Sequence, residues 1–329
     1  MSCPLPFLLS LLPLITSDLI LGAFNIQTFG VSKYSNLTLR THLVDIVTKY
    51  DVILIQEIRD KSETVIHNFL SDCQKVKNFS MVLGPRLGAT SYKEQYAVLY
   101  DQGKVQVKKH TVYDDKEMIF ARTPYVVHIT ALNAEKNKSL TLIGIHIDPD
   151  EVVQELDGLV TAHQWALANS FPSPTVLLGD FNADCSYLSE KKRKELLLVK
   201  DAQYTWLIDE DTTVADTDCA YDRFIVSGRE SFERTEVDRF DMRLGIGQNM
   251  ARKVSDHYPI RTVWVYTESE VRNESDSGVK RVEWDMEGVV RAVKGVMVGL
   301  GWKVDTKMLV AGVIVVVLLR RVGQWLEFY

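Results

Sequence analysis

No apolar run in this 329-residue chain is long enough to cross a bilayer unaided, since a spanning helix needs about 20 such residues. Positive charge is not in excess either. With 38 Lys and Arg against 44 Asp and Glu, the formal net charge is −6, which argues against a protein held on nucleic acid by a broad cationic surface. A nuclease is not excluded, because a bound divalent cation and a few local arginines attract phosphate where it counts. Cysteine is scarce, at four residues, and no internal repeat stands out. What is present is apolar material, 46% of the chain, enough to bury one large core or two smaller ones, with a compact globular enzyme as the default.

The opening MSCPLPFLLSLLPLITS is apolar, far shorter than a membrane span, and ends in Ile15-Thr16-Ser17, a small-residue cleavage site. Residues 1–17 are therefore read as a secretory signal, although no Lys or Arg precedes the apolar stretch and prolines interrupt it. Its removal takes Cys3 and leaves Cys73, Cys185 and Cys219. In an oxidising compartment Cys185–Cys219 is the sensible disulfide, closing a loop of about 34 residues and stabilising by about 2–4 kcal/mol. Cys73 is then a buried small apolar residue. Sequons at Asn36, Asn78, Asn137 and Asn273 would accept glycans on a secreted chain. Asn36 is the foremost of them, lying in the polar stretch SKYSN just before a helix-like segment.

From Leu19 to Tyr266, apolar runs alternate with helix-period segments, the pattern of an α/β layered domain. Strands are predicted at LILGAFNI, DVILIQE, EQYAVLY, VQVKKHTVY, YVVHITAL, SLTLIGIHI, TVLLGDF, RFIVSG and HYPIRTVWVY. Helices are predicted at 37–50, where Leu39, Leu43, Ile46, Val47 and Tyr50 share a face, and at 150–168. Asp101-Gln-Gly predicts a hairpin between the runs at 94–100 and 104–113. Mixed sheets with helices outside follow. Beyond Tyr266 the chain turns charged and aperiodic, so the domain is set at 18–267 and a linker at 268–307. Residues 308–319 form a short apolar run between Lys307 and Arg320-Arg321, followed by a tail at 320–329. As a helix the run would reach about 18 Å against about 30 Å of hydrocarbon, so crossing would need thinning or snorkelling. Its Val, Ile and Leu content and the paired arginines favour membrane association; the alternatives are a disordered or spliced tail, or an amphipathic segment.

Polar residues suited to chemistry gather where apolar runs end: Asn25, Glu57, His146, Asp180 with Asn182, Asp222, and Asp256 with His257. Phosphodiester hydrolysis would need such a set. Glu57, Asp180, Asn182 and Asp256 offer oxygen ligands for a hard cation. His146 and His257 titrate in the range a general base and a general acid require, and Glu94 and Asp222 are available to orient them. Taken singly, each residue has an ordinary reading: Asp180 and Asn182 as turn formers, Glu57 as an ion-pair partner of Arg59 or Arg122, Asp222 and Arg223 as a surface pair. Together, six strand-end clusters in one α/β domain are hard to explain as packing.

AFNIQTFG, LIQEIRD, SYKEQY, GDFNADCSY, CAYDR and SDHYP, in this order and at these separations, resemble the deoxyribonuclease I family over residues 19–266. DFN and SDHYP alone would indicate only the wider superfamily of metal-dependent endonucleases, exonucleases and phosphatases; SYKEQY and the Cys185–Cys219 pair narrow it. The resemblance implies a four-layer sandwich of two mixed sheets packed face to face with helices outside. It implies a metal and phosphate site of Glu57, Asp180, Asn182, Asn25 and Asp256, and two acid–base pairs, His146 with Glu94 and His257 with Asp222. Arg59 and Tyr92 match positions that enter the minor groove of double-stranded DNA, and Arg122 a phosphate contact. Also implied are Mg²⁺ at the site, structural Ca²⁺ elsewhere, 5′-phosphate products, a monomer, and actin as a partner.

The chain departs from the family pattern in places. The small second disulfide is absent after Tyr113-Asp-Asp. A calcium loop matches through Asp211, Thr213 and Thr217, but Ala215, Asp216 and Asp218 alter its ligands. Ile-Asp-Pro-Asp after His146 is more acidic than a DNA-facing groove prefers. Two other readings are a superfamily phosphodiesterase acting on phosphoinositides, sphingomyelin or abasic DNA, and a catalytically silent binder of DNA or actin.

Overall fold

The computed structural model describes residues 18–88, 90–132, 138–228 and 231–266. The segments expected as signal, linker, short apolar run and tail, with Asn137 and Asn273, lie outside the described residues. No helix among the described residues is long and apolar enough to cross a membrane.

In chain order the strands are β1 (Asp18–Phe29), β2 (Val52–Ile58), β3 (Phe79–Leu83), β4 (Gln95–Asp101), β5 (Val105–Val112), β6 (Tyr125–Ala131), β7 (Ser139–His146), β8 (Thr175–Asp180), β9 (Tyr204–Trp206), β10 (Asp222–Ser227), β11 (Ser231–Val237) and β12 (Ile260–Val265). The helices are α1 (Val31–Ser35), α2 (Leu37–Val47), α3 (Thr64–Gln74), α4 (Val152–Ala168), and the short α5 (Glu190–Arg193), α6 (Leu197–Lys200), α7 (Phe240–Leu244) and α8 (Gln248–Val254). Two six-stranded sheets result, ordered β11-β12-β1-β2-β4-β3 and β5-β6-β7-β8-β10-β9.

Each sheet is mixed for the same reason. β1 pairs parallel with β2 across the α1–α2 crossover, and β7 pairs parallel with β8 across α4, while hairpin-type neighbours run antiparallel. The sheets pack face to face, β1 and β2 on β8 and β12 on β10. They meet closely: a Cβ at Gly144 of β7 would fall 2.8 Å from the Leu54 side chain of β2. Helices cover the outer faces, with Leu156, Leu159, Ala162 and Ala166 of α4 buried against Ile143, Ile145, Leu177 and Ile225. Central strands are thus covered on both sides, and β8 is buried throughout. The expected four-layer α/β sandwich is the one observed.

Local signals act as the sequence implies. The Asn36 side chain accepts the Leu39 N–H at 3.2 Å and caps α2, whose buried face is Leu39, Leu43, Ile46 and Val47. One expectation fails. Asp101-Gln-Gly does not close a hairpin: both edges of β4 are already taken by β2 and β3, so the turn carries the chain into the other sheet, where β5 pairs with β6.

The disulfide joins Cys185 to Cys219 with their Cα atoms 5.8 Å apart, inside the normal range, and Cys73 is buried and free. Replacing the disulfide pair with serines is expected to lower stability by about 2–4 kcal/mol in denaturant titration, from the loop entropy released to the unfolded chain.

Candidate active site

Strand register gathers the site. In the second sheet Asp180, at the end of β8, is paired on one side with His146 of β7 and on the other with Asp222 of β10. In the first sheet Asn25 of β1 is paired with Gln56 of β2, beside Glu57. The two sheets present these ends to each other, so residues from opposite layers touch.

Asp180 is the meeting point, 2% exposed. Its Oδ2 accepts from Asn25 Nδ2 at 3.0 Å, and the same amide donates to Glu57 Oε1 at 3.0 Å. His146 Nε2 lies 3.5 Å and His257 Nε2 3.4 Å from that Oδ2. Behind each ring a carboxylate fixes orientation: Glu94 Oε2 at 2.9 Å from His146 Nδ1, and Asp222 Oδ2 at 2.7 Å from His257 Nδ1. Both pairs named from the sequence are therefore formed.

Backbone shape serves the same end. Glu57 and Asn182 hold φ of 58° and 47°, left-handed values uncommon outside glycine. Gly179, at φ 130°, precedes Asp180 where a Cβ would strike the Ile145 carbonyl and the Gln56 amide. That close approach lets Gln56 bridge the sheets, donating to the Ile145 carbonyl at 2.7 Å and accepting the Asp180 N–H at 3.1 Å. Asn182 donates N–H to Asp180 Oδ1 at 3.1 Å and its amide to the Ile147 carbonyl at 3.0 Å.

Burial opposes charge on both imidazoles, but the carboxylates outweigh it. Asp222 and Asp180 hold His257 well above the usual imidazole value, and Glu94 and Asp180 raise His146. Burial would likewise raise Asp180; the two histidines, the Asn182 N–H and the Asn25 amide keep it below the usual carboxylate value. Burial also raises Asp222, against its bond to His257.

The remaining expected residues divide between the rim and the support. The Arg59 guanidinium lies 4.8 Å over the ring of Tyr92, which is 74% exposed. Arg122 Nε donates to the His146 carbonyl at 2.9 Å, and both arginines approach Glu94, at 4.0 and 3.8 Å, rather than Glu57. Asp222 and Arg223 are fully buried and are not a surface pair. Asp211, Thr213 and Thr217 come together, Thr213 Oγ1 lying 2.8 Å from Asp211 Oδ1 and 3.0 Å from Thr217 Oγ1. Their loop bears on the site, since the Val214 N–H donates to the Asp256 carbonyl at 2.8 Å and Thr213 forms a β-bridge with His257. The disulfide anchors the same loop beside the β8 end.

Several contributors escaped the sequence reading. Gln27 donates to Asp256 Oδ2 at 2.7 Å, and Ser255 Oγ donates to the Asn25 carbonyl at 2.7 Å. Lys33 donates to the carbonyls of Ile26 and Val254, both at 2.8 Å, and burial pulls its ammonium down to about 8 despite Asp256 and Glu57 nearby. Only Gln56 carried a signal, a polar residue inside an apolar run.

The donor set fits a hard divalent cation. Five carboxylates converge, those of Glu57, Glu94, Asp180, Asp222 and Asp256, and the buried Oδ1 atoms of Asp222 and Asp256 find no hydrogen-bond partner among the described residues. Ligand atoms of Asp180, Asp222 and His257 also lie within 4.8 Å of one another. Asp222 Oδ2 and His257 Nδ1 already meet at 2.7 Å, while Asp222 Oδ1 stays without a partner among the described residues.

A buried carboxylate between two carboxylate-backed histidines, at the joined ends of two sheets, defines a hydrolase site on a two-sheet α/β sandwich. The chain matches the model of the endonuclease/exonuclease/phosphatase family over residues 22–257 and belongs to that family. Its curated relatives place it in the deoxyribonuclease I branch. Deoxyribonuclease-1 of Bos taurus is 35% identical over 254 residues, spanning 73% of this chain and 90% of its own. Deoxyribonuclease-1-like 1 of Mus musculus is 34% identical over 249 residues, spanning 72% and 77%. Among solved structures, mannosyl-6-phosphatase of Bacteroides thetaiotaomicron superposes with a TM-score of 0.53 at 14% identity, covering 75% of this chain and all of that one, and carries the fold alone.

Proposed function

We propose that the protein is a metal-dependent endonuclease that hydrolyses phosphodiester bonds of double-stranded DNA with little sequence preference, leaving 5′-phosphate ends. The observation that carries this reading is the pair of carboxylate-backed imidazoles whose Nε2 atoms face one buried carboxylate at 3.5 and 3.4 Å. Two proton-transferring groups on one centre suit an in-line displacement at phosphorus. One imidazole takes the proton of the attacking water; the other gives a proton to the departing 3′ oxygen. Glu94 and Asp222 hold the rings and stabilise their charged forms. Glu57, Asp180, Asn182 and Asp256 would hold Mg²⁺, which supplies charge neutralisation at the phosphate. Asn25 is assigned to phosphate binding on family grounds, which requires its amide to release one of the two carboxylates it now bonds, Glu57 or Asp180.

Substrate choice rests on the rim. The exposed Tyr92 with Arg59 stacked on it suits a minor groove, and Arg122 suits a phosphate. Ca²⁺ is assigned to the Asp211, Thr213 and Thr217 loop, and actin is retained as a partner on family grounds. The disulfide favours an oxidising compartment, hence passage through the secretory pathway with residues 1–17 as signal. Asn36 and Asn78 are both exposed for glycans. The 308–319 run is assigned to membrane attachment, and the protein to a monomer.

Substrate class is tested by parallel assays with Mg²⁺ and Ca²⁺ on plasmid DNA, abasic duplex, phosphoinositide and sphingomyelin. Intact duplex DNA is expected to be cleaved far faster than the others; preference for a lipid or for abasic DNA would overturn the reading.

A further inference from the structure

Glu155 is a buried carboxylate that the chemistry above leaves unused. It lies on α4, fully buried, and each of its oxygens is engaged by a different segment. Oε1 accepts the Ala121 N–H at 2.8 Å, and Oε2 accepts the Asp148 N–H at 3.2 Å. Ala121 immediately precedes Arg122, and Asp148 is two residues past His146. The two segments also meet directly through the bond from Arg122 Nε to the His146 carbonyl.

The loop before Arg122 depends on such support. Asp115 accepts the Ile119 and Phe120 N–H groups at 3.0 and 2.9 Å, so Glu155 completes a run of three consecutive amides held by carboxylates. α4 sits tight beneath: a Cβ at Gly158 would fall 2.8 Å from Ile119 and 3.0 Å from Phe120. A buried carboxylate is expensive unless its bonds are made, and here both oxygens are bonded to loop amides.

We infer that Glu155 is a positioning residue, a clasp that holds Arg122 at the height needed for phosphate contact by tying its loop to the strand end carrying His146. The inference rests on the reading of Arg122 as a substrate phosphate contact. Glu155 itself touches neither substrate nor metal ligands.

The charge state of the clasp supports this and supplies a readout. Burial pushes the Glu155 carboxyl up to about 7; the two N–H donors and Arg122 oppose that rise, and Asp148 adds to it, with Tyr96 of β4 the other titratable neighbour. Above about 7 the carboxylate accepts both N–H groups. Below it, the protonated oxygen becomes a donor facing an N–H, and one half of the clasp opens. KM for DNA should therefore rise as pH falls from 8 to 6.

The test uses the full-length protein with saturating Mg²⁺ and Ca²⁺ and plasmid DNA as substrate, with melting and circular dichroism to establish that each variant folds. Glu155→Gln is expected to raise KM at pH 8 about tenfold, the loss of roughly one charge-assisted contact, with kcat changed much less. Its KM should be flat between pH 6 and 8. Arg122→Ala should raise KM as well, and adding Glu155→Gln to it should do nothing further, because the clasp acts through Arg122. Wild-type KM in Glu155→Gln while Arg122→Ala raises it, or additive effects in the double variant, would overturn the clasp. If Arg122→Ala leaves KM unchanged, the phosphate reading of Arg122 falls, and the clasp with it. Should Glu155→Gln fail to fold, the wild-type pH profile decides: a KM flat from pH 6 to 8, or a rise that persists in Arg122→Ala, overturns the proposal.

Discussion

Alanine at His146 or at His257 is expected to lower kcat for DNA cleavage by about 10²–10⁴-fold each, the usual share of a positioned general acid or base. Both rings are held at Nδ1 by a carboxylate and aim Nε2 at the same Asp180 oxygen. Neither can substitute for the other, since they approach from β7 and from the segment before β12. The orienting partners should matter less: Glu94→Gln and Asp222→Asn keep the shape of the contact and remove the charge, and a loss of about 10–100-fold is expected. KM should move little in the histidine variants, because their side chains act in the step rather than in binding. Steady-state nicking rates at saturating DNA measure this, and a residual kcat within tenfold of wild type in either alanine variant would remove that histidine from the chemistry.

Removal of divalent cations is expected to be as severe. Without them Glu57, Asp180 and Asp256 confront the phosphate as bare anions. A single unit-charge repulsion at 4 Å and an effective dielectric of 20 is worth about 4 kcal/mol, which is about a thousandfold in rate. Chelation should therefore bring cleavage down by about a thousandfold or more, and Mg²⁺ should restore it. Glu57→Gln, which keeps the bond to Asn25 but removes one charge, should shift half-maximal activity to higher Mg²⁺ while leaving the fold intact. Activity unaffected by chelator would refute the assigned oxygen set.

Much of this site was legible because of one geometrical fact. A buried strand written as an apolar run must end, and a polar residue at its end faces either solvent or a site. Glu57, His146 and Asp180 stand out on that basis, Asp222 opens its strand, and Asn25 lies at an apolar run's end although β1 continues to Phe29; the register that sets His146 and Asp222 beside Asp180 then follows from strand pairing. Glu94, just before β4, became visible through the SYKEQY motif. What stayed hidden depends on contacts between distant segments. Gln27 reaches Asp256 across 229 positions and Lys33 reaches Val254 across 221, and nothing local marks either. Glu155 is similar: on α4 it reads as an ordinary helical glutamate until two loops are seen to hang from it.

The fold shows the same division. Central strands, buried on both faces, announced themselves. β3, β9 and β11 did not; the first two are short, all three lie at sheet edges, and β11 is largely polar, as edges tend to be. The Asp101-Gln-Gly turn was visible as a turn, but its partner strands were not. A tight turn fixes a change of direction, whereas the competing edges of β4, already filled, decide which sheet the chain enters next.

Supercoiled plasmid incubated with the oxidised full-length protein, Mg²⁺ and Ca²⁺ puts the proposed chemistry to its most direct test. Nicked circles bearing 5′-phosphates are expected, and they should disappear with chelator and in His146→Ala. No nicking by folded protein, or nicking that survives both chelator and His146→Ala, would contradict a metal-dependent hydrolysis run by these histidines.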